Sequence, residues 1–207
     1  MSKTRYLKLS VVALAIAVTA LVAVPWPASA QLPGLGGTSS STGTGATALQ
    51  ATVLWNTTSL ASTGTLANAY DALGEELDSG GIPVGSADVL HAVAIGSGDY
   101  VTSESSLGNL DLSVAGIAIS AVSAYATAVA TSAGGISGFS SVDGLTVNGV
   151  SIAPTGAVNQ TVGLGAVTLV LNEVTQSASG ITVNALHIST LDGLVDVVVA
   201  SASAGIP

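Results

Sequence analysis

Glu75, Glu76 and Asp78 place three carboxylates within four positions, and Asp71 lies shortly before them. Hard oxygen ligands at this density suit calcium in an extracellular setting. The segment has neither EF-hand spacing nor a Gly-Gly-x-Gly-x-Asp repeat, so the motif is compositional. The competing assignment is a solvated acidic face. Asp88, Asp99 and Glu104 form a looser second set.

His91 and His187 stand in similar surroundings, Val-Leu-His-Ala and Ala-Leu-His-Ile. With abundant Ser and Asp, either could join a Ser-His-Asp triad, although no local signature marks one. A zinc site would need further ligands, with Asp192 or Asp196 as candidates beside the histidines. The plainer assignment is a strand histidine with a local hydrogen bond. Paired carboxylates could hydrolyse a glycoside, but nothing in the sequence sets their separation. Trp55, Tyr70, Tyr100 and Tyr125 could stack on a sugar, and Trp55 also fits a core or rim position.

What is missing narrows the chemistry further. Lys3, Arg5 and Lys8 are the only basic residues besides histidine, and there is no cysteine. Beyond residue 30 the chain therefore has no Lys or Arg and carries all 12 acidic residues, a formal charge of −12. Nucleic-acid binding is excluded as a function class, because no cation is present to displace phosphate counterions. Schiff-base lysines, thiol nucleophiles and arginine forks are absent as well. No G-x-S-x-G elbow or H-E-x-x-H helix appears. These residues argue against an enzyme.

The elements that would position these groups read as strands. Period-two alternation and β-branched runs mark Leu49 to Trp55, Ala87 to Ile95, Leu110 to Val114, Ala121 to Ala130 and Leu145 to Ile152. Ala166 to Val174, Ile181 to Ile188 and Leu194 to Ala200 continue the series. Val147-Asn148-Gly149-Val150 is a strong hairpin signal. The expected fold is all-β, an antiparallel sandwich or barrel-like domain of about eight strands. The last strand, apolar on both faces, is expected at the centre of a sheet rather than at an exposed edge. Residues 66–77 are the exception. Leu66, Tyr70, Leu73 and Leu77 recur near helical spacing, which fits a short helix or a loop insertion there, with Gly74 counting against the helix.

The N-terminus has the three parts of a secretory signal peptide. Basic residues come first, Leu9 to Val24 is largely apolar, and Ala28-Ser29-Ala30 supplies a cleavage pattern. Cleavage is expected between Ala30 and Gln31, leaving no stable membrane span. The expected organisation is a signal peptide over 1–30, a Gly/Ser/Thr-rich linker over 31–48 and one β-rich extracellular domain over 49–207.

Several segments also carry a family resemblance. LGNLDLSVAGIAISAVSAYATA (107–128), GLTVNGVSI (144–152), VNQTVGLGAVTLVLNEV (158–174), GITVNALHI (180–188) and VDVVVASASAGI (195–206) follow one another in order. Together they resemble the choice-of-anchor P family of exported bacterial proteins. The resemblance implies a secreted or surface-displayed β domain and supplies no catalytic residues.

The sequence thus leads to a secreted or cell-surface structural or interaction protein, either free or held non-covalently at the surface. Envelope polymers, further copies of itself or another surface protein are the expected partners. The alternative is a calcium- or glycan-binding module, and an exported hydrolase fits least well.

Overall fold

The structure is a computed structural model that describes residues 43–206. The signal peptide, the Ala30–Gln31 cleavage site and residues 31–42 of the expected linker lie outside the described residues.

Among the described residues, thirteen strands account for the fold. They are β1 (Gly45–Val53), β2 (Asn56–Ser62), β3 (Ala72–Ile82), β4 (Gly85–Gly96), β5 (Tyr100–Val114), β6 (Ile117–Thr131) and β7 (Ile136–Asp143). The short pair β8 (Thr146–Val147) and β9 (Val150–Ser151) follows, then β10 (Gln160–Gly163), β11 (Val167–Gln176), β12 (Gly180–Thr190) and β13 (Val195–Gly205). A six-stranded sheet runs β10-β11-β12-β13-β1-β2. A seven-stranded sheet runs β3-β4-β5-β6-β8-β9, with β7 also paired to β6. Every pairing is antiparallel. The sheets pack face to face as a sandwich, and no barrel closes. The last strand, β13, lies between β12 and β1, inside its sheet.

Alternation decides which side chains face inward. Leu90 and Ala92 of β4, Leu110 and Leu112 of β5, and Ala124, Ala126 and Ala128 of β6 are buried. They meet Ala46, Leu49 and Ala51 of β1, Leu186 and Ile188 of β12, and Val197, Val199 and Ala202 of β13 in one core. Aliphatic side chains and many alanines do the work that aromatics do in other sandwiches. Side-chain hydrogen bonds join the layers directly, in the interior as well as at the rims. The buried Ser103 hydroxyl donates to the Ser203 carbonyl oxygen at 2.8 Å.

A crease crosses the six-stranded sheet. Leu60, Leu49, Val199, Leu186 and Leu171 form one register row. Beside it, Ala48 and Leu49, Val199 and Ala200, and Ala185 and Leu186 are consecutive buried residues, so the inward phase flips. Left-handed backbone at Ala61, Ala200 and Asn172, with φ of 46°, 48° and 49°, accompanies the flip. The seven-stranded sheet flips in the opposite sense. Asp88 and Val89, Gly108 and Asn109, and Val122 and Ser123 are successive positions outside the core. Val89 and Asn109 there have φ of 49° and 47°.

Two expectations need correction. The short helix allowed for over 66–77 does not form. Leu66 and Ala69 are buried in a connecting segment, and β3 begins at Ala72. The Asp71 carboxylate accepts from the Asn68 amide and side chain, both at 2.9 Å, closing a turn before the strand. Spacing of four residues, as between Leu73 and Leu77, satisfies strand alternation as well as a helix. The linker boundary at residue 48 also moves. β1 begins at Gly45, and Thr44 is tied to Gly205 through its hydroxyl.

Candidate functional site

The acidic group expected to bind calcium lies on β3, and strand geometry divides it. Glu75 is paired with buried Ala92 and Glu76 with His91, so the two carboxylates point to opposite faces. Glu75 Oε2 accepts from the Ser62 amide at 2.7 Å, capping the free edge of β2. Glu76 Oε1 is 3.7 Å from His91 Nε2 at an exposed site. Asp78 is exposed farther along the strand. Glu75, Glu76 and Asp78 thus do not converge on one point. Among the described residues, no group of three or more His, Asp or Glu side chains is placed to hold a metal ion.

The two histidines lie on different sheets, His91 on β4 and His187 on β12. His187 anchors a polar network. Its Nδ1 lies 3.0 Å from Glu173 Oε1 of β11, and its Nε2 lies 2.7 Å from Asp196 Oδ2 of β13. The Asn184 side chain donates to the other Glu173 oxygen at 2.6 Å. Antiparallel register brings these residues together on adjacent strands. Burial opposes charging of the ring. The hydrogen bonds and charges of Asp196 and Glu173 outweigh that effect and raise the pKa above its ordinary 6.5. A doubly protonated ring can donate to both carboxylates, whereas a neutral ring can donate to only one. Both nitrogens are therefore committed to carboxylates. Neither is left to activate a serine or bind a metal, and the arrangement works as a clasp across three strands.

The expected sugar-stacking aromatics do not form one platform. Trp55 sits in the β1–β2 turn and is 83% exposed. The Tyr70 ring packs beside Gly98. Tyr125 lies between buried Ala124 and Ala126 and so points out of the seven-stranded sheet. Its partner is Phe139 of β7, with ring centroids 6.4 Å apart and planes tilted by 49°. Burial, followed by the neighbouring Glu104 charge and hydrogen bond, raises the Tyr125 pKa above its ordinary value. Phe139 lies in a Gly-Ser context with no motif around it to mark it in the sequence.

Ser140, Ala157, Gln160 and Asn172 line a shallow concavity of about 30 Å³. Small-molecule sites usually enclose roughly 300 Å³ or more. The polar and aromatic groups described above lie on open sheet faces and turns. Comparison with family models, curated proteins and solved structures found no match to this chain.

Proposed function

We propose that this chain is an exported structural or interaction protein that acts by surface association at the cell exterior. The observation that carries the reading is the placement of its distinctive side chains on broad open surfaces rather than around an enclosed site. Such surfaces suit a large partner, such as an envelope polymer, another copy or a surface protein. The signal-peptide pattern, the excess of carboxylates and the resemblance to exported choice-of-anchor P proteins support the same reading. Fractionation of the producing cell, with intact mass measured on each fraction, tests it. The expected result is a chain beginning at Gln31 on washed envelopes or in a complex. A free, monomeric chain in the medium that is retained by neither envelopes nor partners would overturn it.

The Tyr125–Phe139 pair beside Glu104 favours a second reading, glycan binding on the outer face of the seven-stranded sheet. Aromatic faces stack on sugar rings, and a carboxylate accepts from sugar hydroxyls. Binding on a glycan array that disappears in Tyr125→Ala would support this reading. An array with no signal would remove it.

A further inference from the structure

Among the described residues, three two-residue hairpin turns have positive φ at both central positions. One uses the pair that such geometry favours, Asn148-Gly149 (49° and 76°), and a second, Ala115-Gly116 (49° and 78°), has the favoured glycine at its second position. The third, between Val53 and Asn56, uses Leu54-Trp55, with φ of 48° and 70°. Neither residue favours the left-handed region, and both side chains extend into solvent, Leu54 58% and Trp55 83% exposed. Backbone geometry alone would select Asn-Gly at this position, so the apolar side chains themselves need an explanation.

The neighbouring turn continues the apolar surface. The Leu54 amide donates to the Leu194 carbonyl at 2.9 Å, which fixes the β1–β2 turn against the β12–β13 turn. Leu191 is 74% exposed and Leu194 39% exposed. Asp192 lies between them, and hydrogen bonds with Thr190 and the Leu194 amide keep its carboxyl below its ordinary pKa. The tip therefore consists of protruding apolar side chains around a carboxylate, with no Lys or Arg among the described residues.

We propose that Leu54, Trp55, Leu191 and Leu194 insert into the interface of a zwitterionic phospholipid surface. Four side chains on two turns fall short of the roughly 20–30 residues a side that a stable protein interface uses, which disfavours a second copy as the occupant. A lipid interface needs no complementary pocket and accommodates an indole ring at headgroup depth. Asp192 then meets the ammonium group of the headgroup. Anionic lipid is repelled by the carboxylate excess. The described residues begin and end at the pole far from this surface. Thr44 and Gly205 are hydrogen-bonded at the opposite ends of β1 and β13 from the tip.

The proposal uses the surface-association reading only for access to the outside of a cell. Its test uses the purified chain beginning at Gln31, in which Trp55 is the single tryptophan and so the reporter, and the two can fail separately. Vesicles of brominated phosphatidylcholine should quench Trp55, whereas phosphatidylglycerol vesicles should leave its emission unchanged. Adding Leu54→Asn and Leu191→Asn should weaken partitioning by about tenfold for each leucine, with the β circular-dichroism signal retained. Unquenched Trp55 would overturn the proposal, even if another segment brings the chain down with the vesicles. Equal partitioning of the leucine variants would also overturn it. So would a lipid-independent dimer in sedimentation velocity that Trp55→Gly dissolves, which would assign the tip to a second copy.

Discussion

Asp196 Oδ2 sits 2.7 Å from His187 Nε2, and Glu173 occupies the other ring nitrogen. Because the folded-state pKa of His187 is raised, the clasp favours folding most where the ring is charged. Its contribution is complete below the unfolded pKa of about 6.5 and is lost as pH rises through the higher folded value. The expected melting temperature falls over this window above pH 6.5, and the fall is reduced in His187→Gln. An NMR titration of the ring should give a pKa above 6.5 that drops in Asp196→Asn. A wild-type value at or below 6.5 would rule out the clasp.

Ser103 and Ser105 offer a matched pair on one strand. Both are buried, but only Ser103 has a hydroxyl partner, the Ser203 carbonyl across the sandwich. Ser103→Ala should cost about 1–2 kcal/mol, because the inter-sheet bond is lost. Ser105→Ala should be neutral or stabilising by up to ~1 kcal/mol, because it removes an unpaired buried hydroxyl. Urea unfolding measures both, and equal destabilisation would contradict the hydrogen-bond assignment.

Val89 is β-branched, 69% exposed and held at φ 49°. Its side chain has little packing to lose, so relief of backbone strain should dominate any substitution. Val89→Gly or Val89→Asn should stabilise the fold by about 1 kcal/mol. Thermal melts of the two variants check this, and a lower melting temperature in both would refute left-handed backbone at this position.

The tip sets stability against surface function. Leu54→Asn combined with Trp55→Gly restores favoured turn chemistry and should add about 1–2 kcal/mol to unfolding stability. If the variant is less stable in denaturant than the wild type, the side chains are packing in the isolated chain and are not strained into solvent.

The all-β fold and its strongest turn were legible in the sequence. Asn148-Gly149 forms the expected hairpin between β8 and β9. The strand expected over Ala87 to Ile95 falls inside β4. The creases were not legible, because Ala61, Ala200 and Val89 take left-handed backbone without the Gly or Asn that would mark it. β2 and β7 were also missed, since Asn-Thr-Thr-Ser and Ile-Ser-Gly-Phe read locally as loop. The acidic group was visible as composition, but alternation along β3 placed Glu75 and Glu76 on opposite faces. Asp196 was visible as a possible companion of His187. Glu173 was not, because it lies fourteen residues from His187 in sequence and only strand pairing brings them together.

The adjacency of the two ends of the described sandwich has a mechanical consequence. Thr44 and Gly205 meet at one end of the β1–β13 ladder, and Val53 and Val195 close the other. Force applied between the two ends would open this ladder one hydrogen bond at a time, like a zipper, instead of shearing the whole row together. The sandwich is poorly suited to carrying tension in line between two anchors. Held from that single pole, it bears little load and keeps its far end free to reach outward.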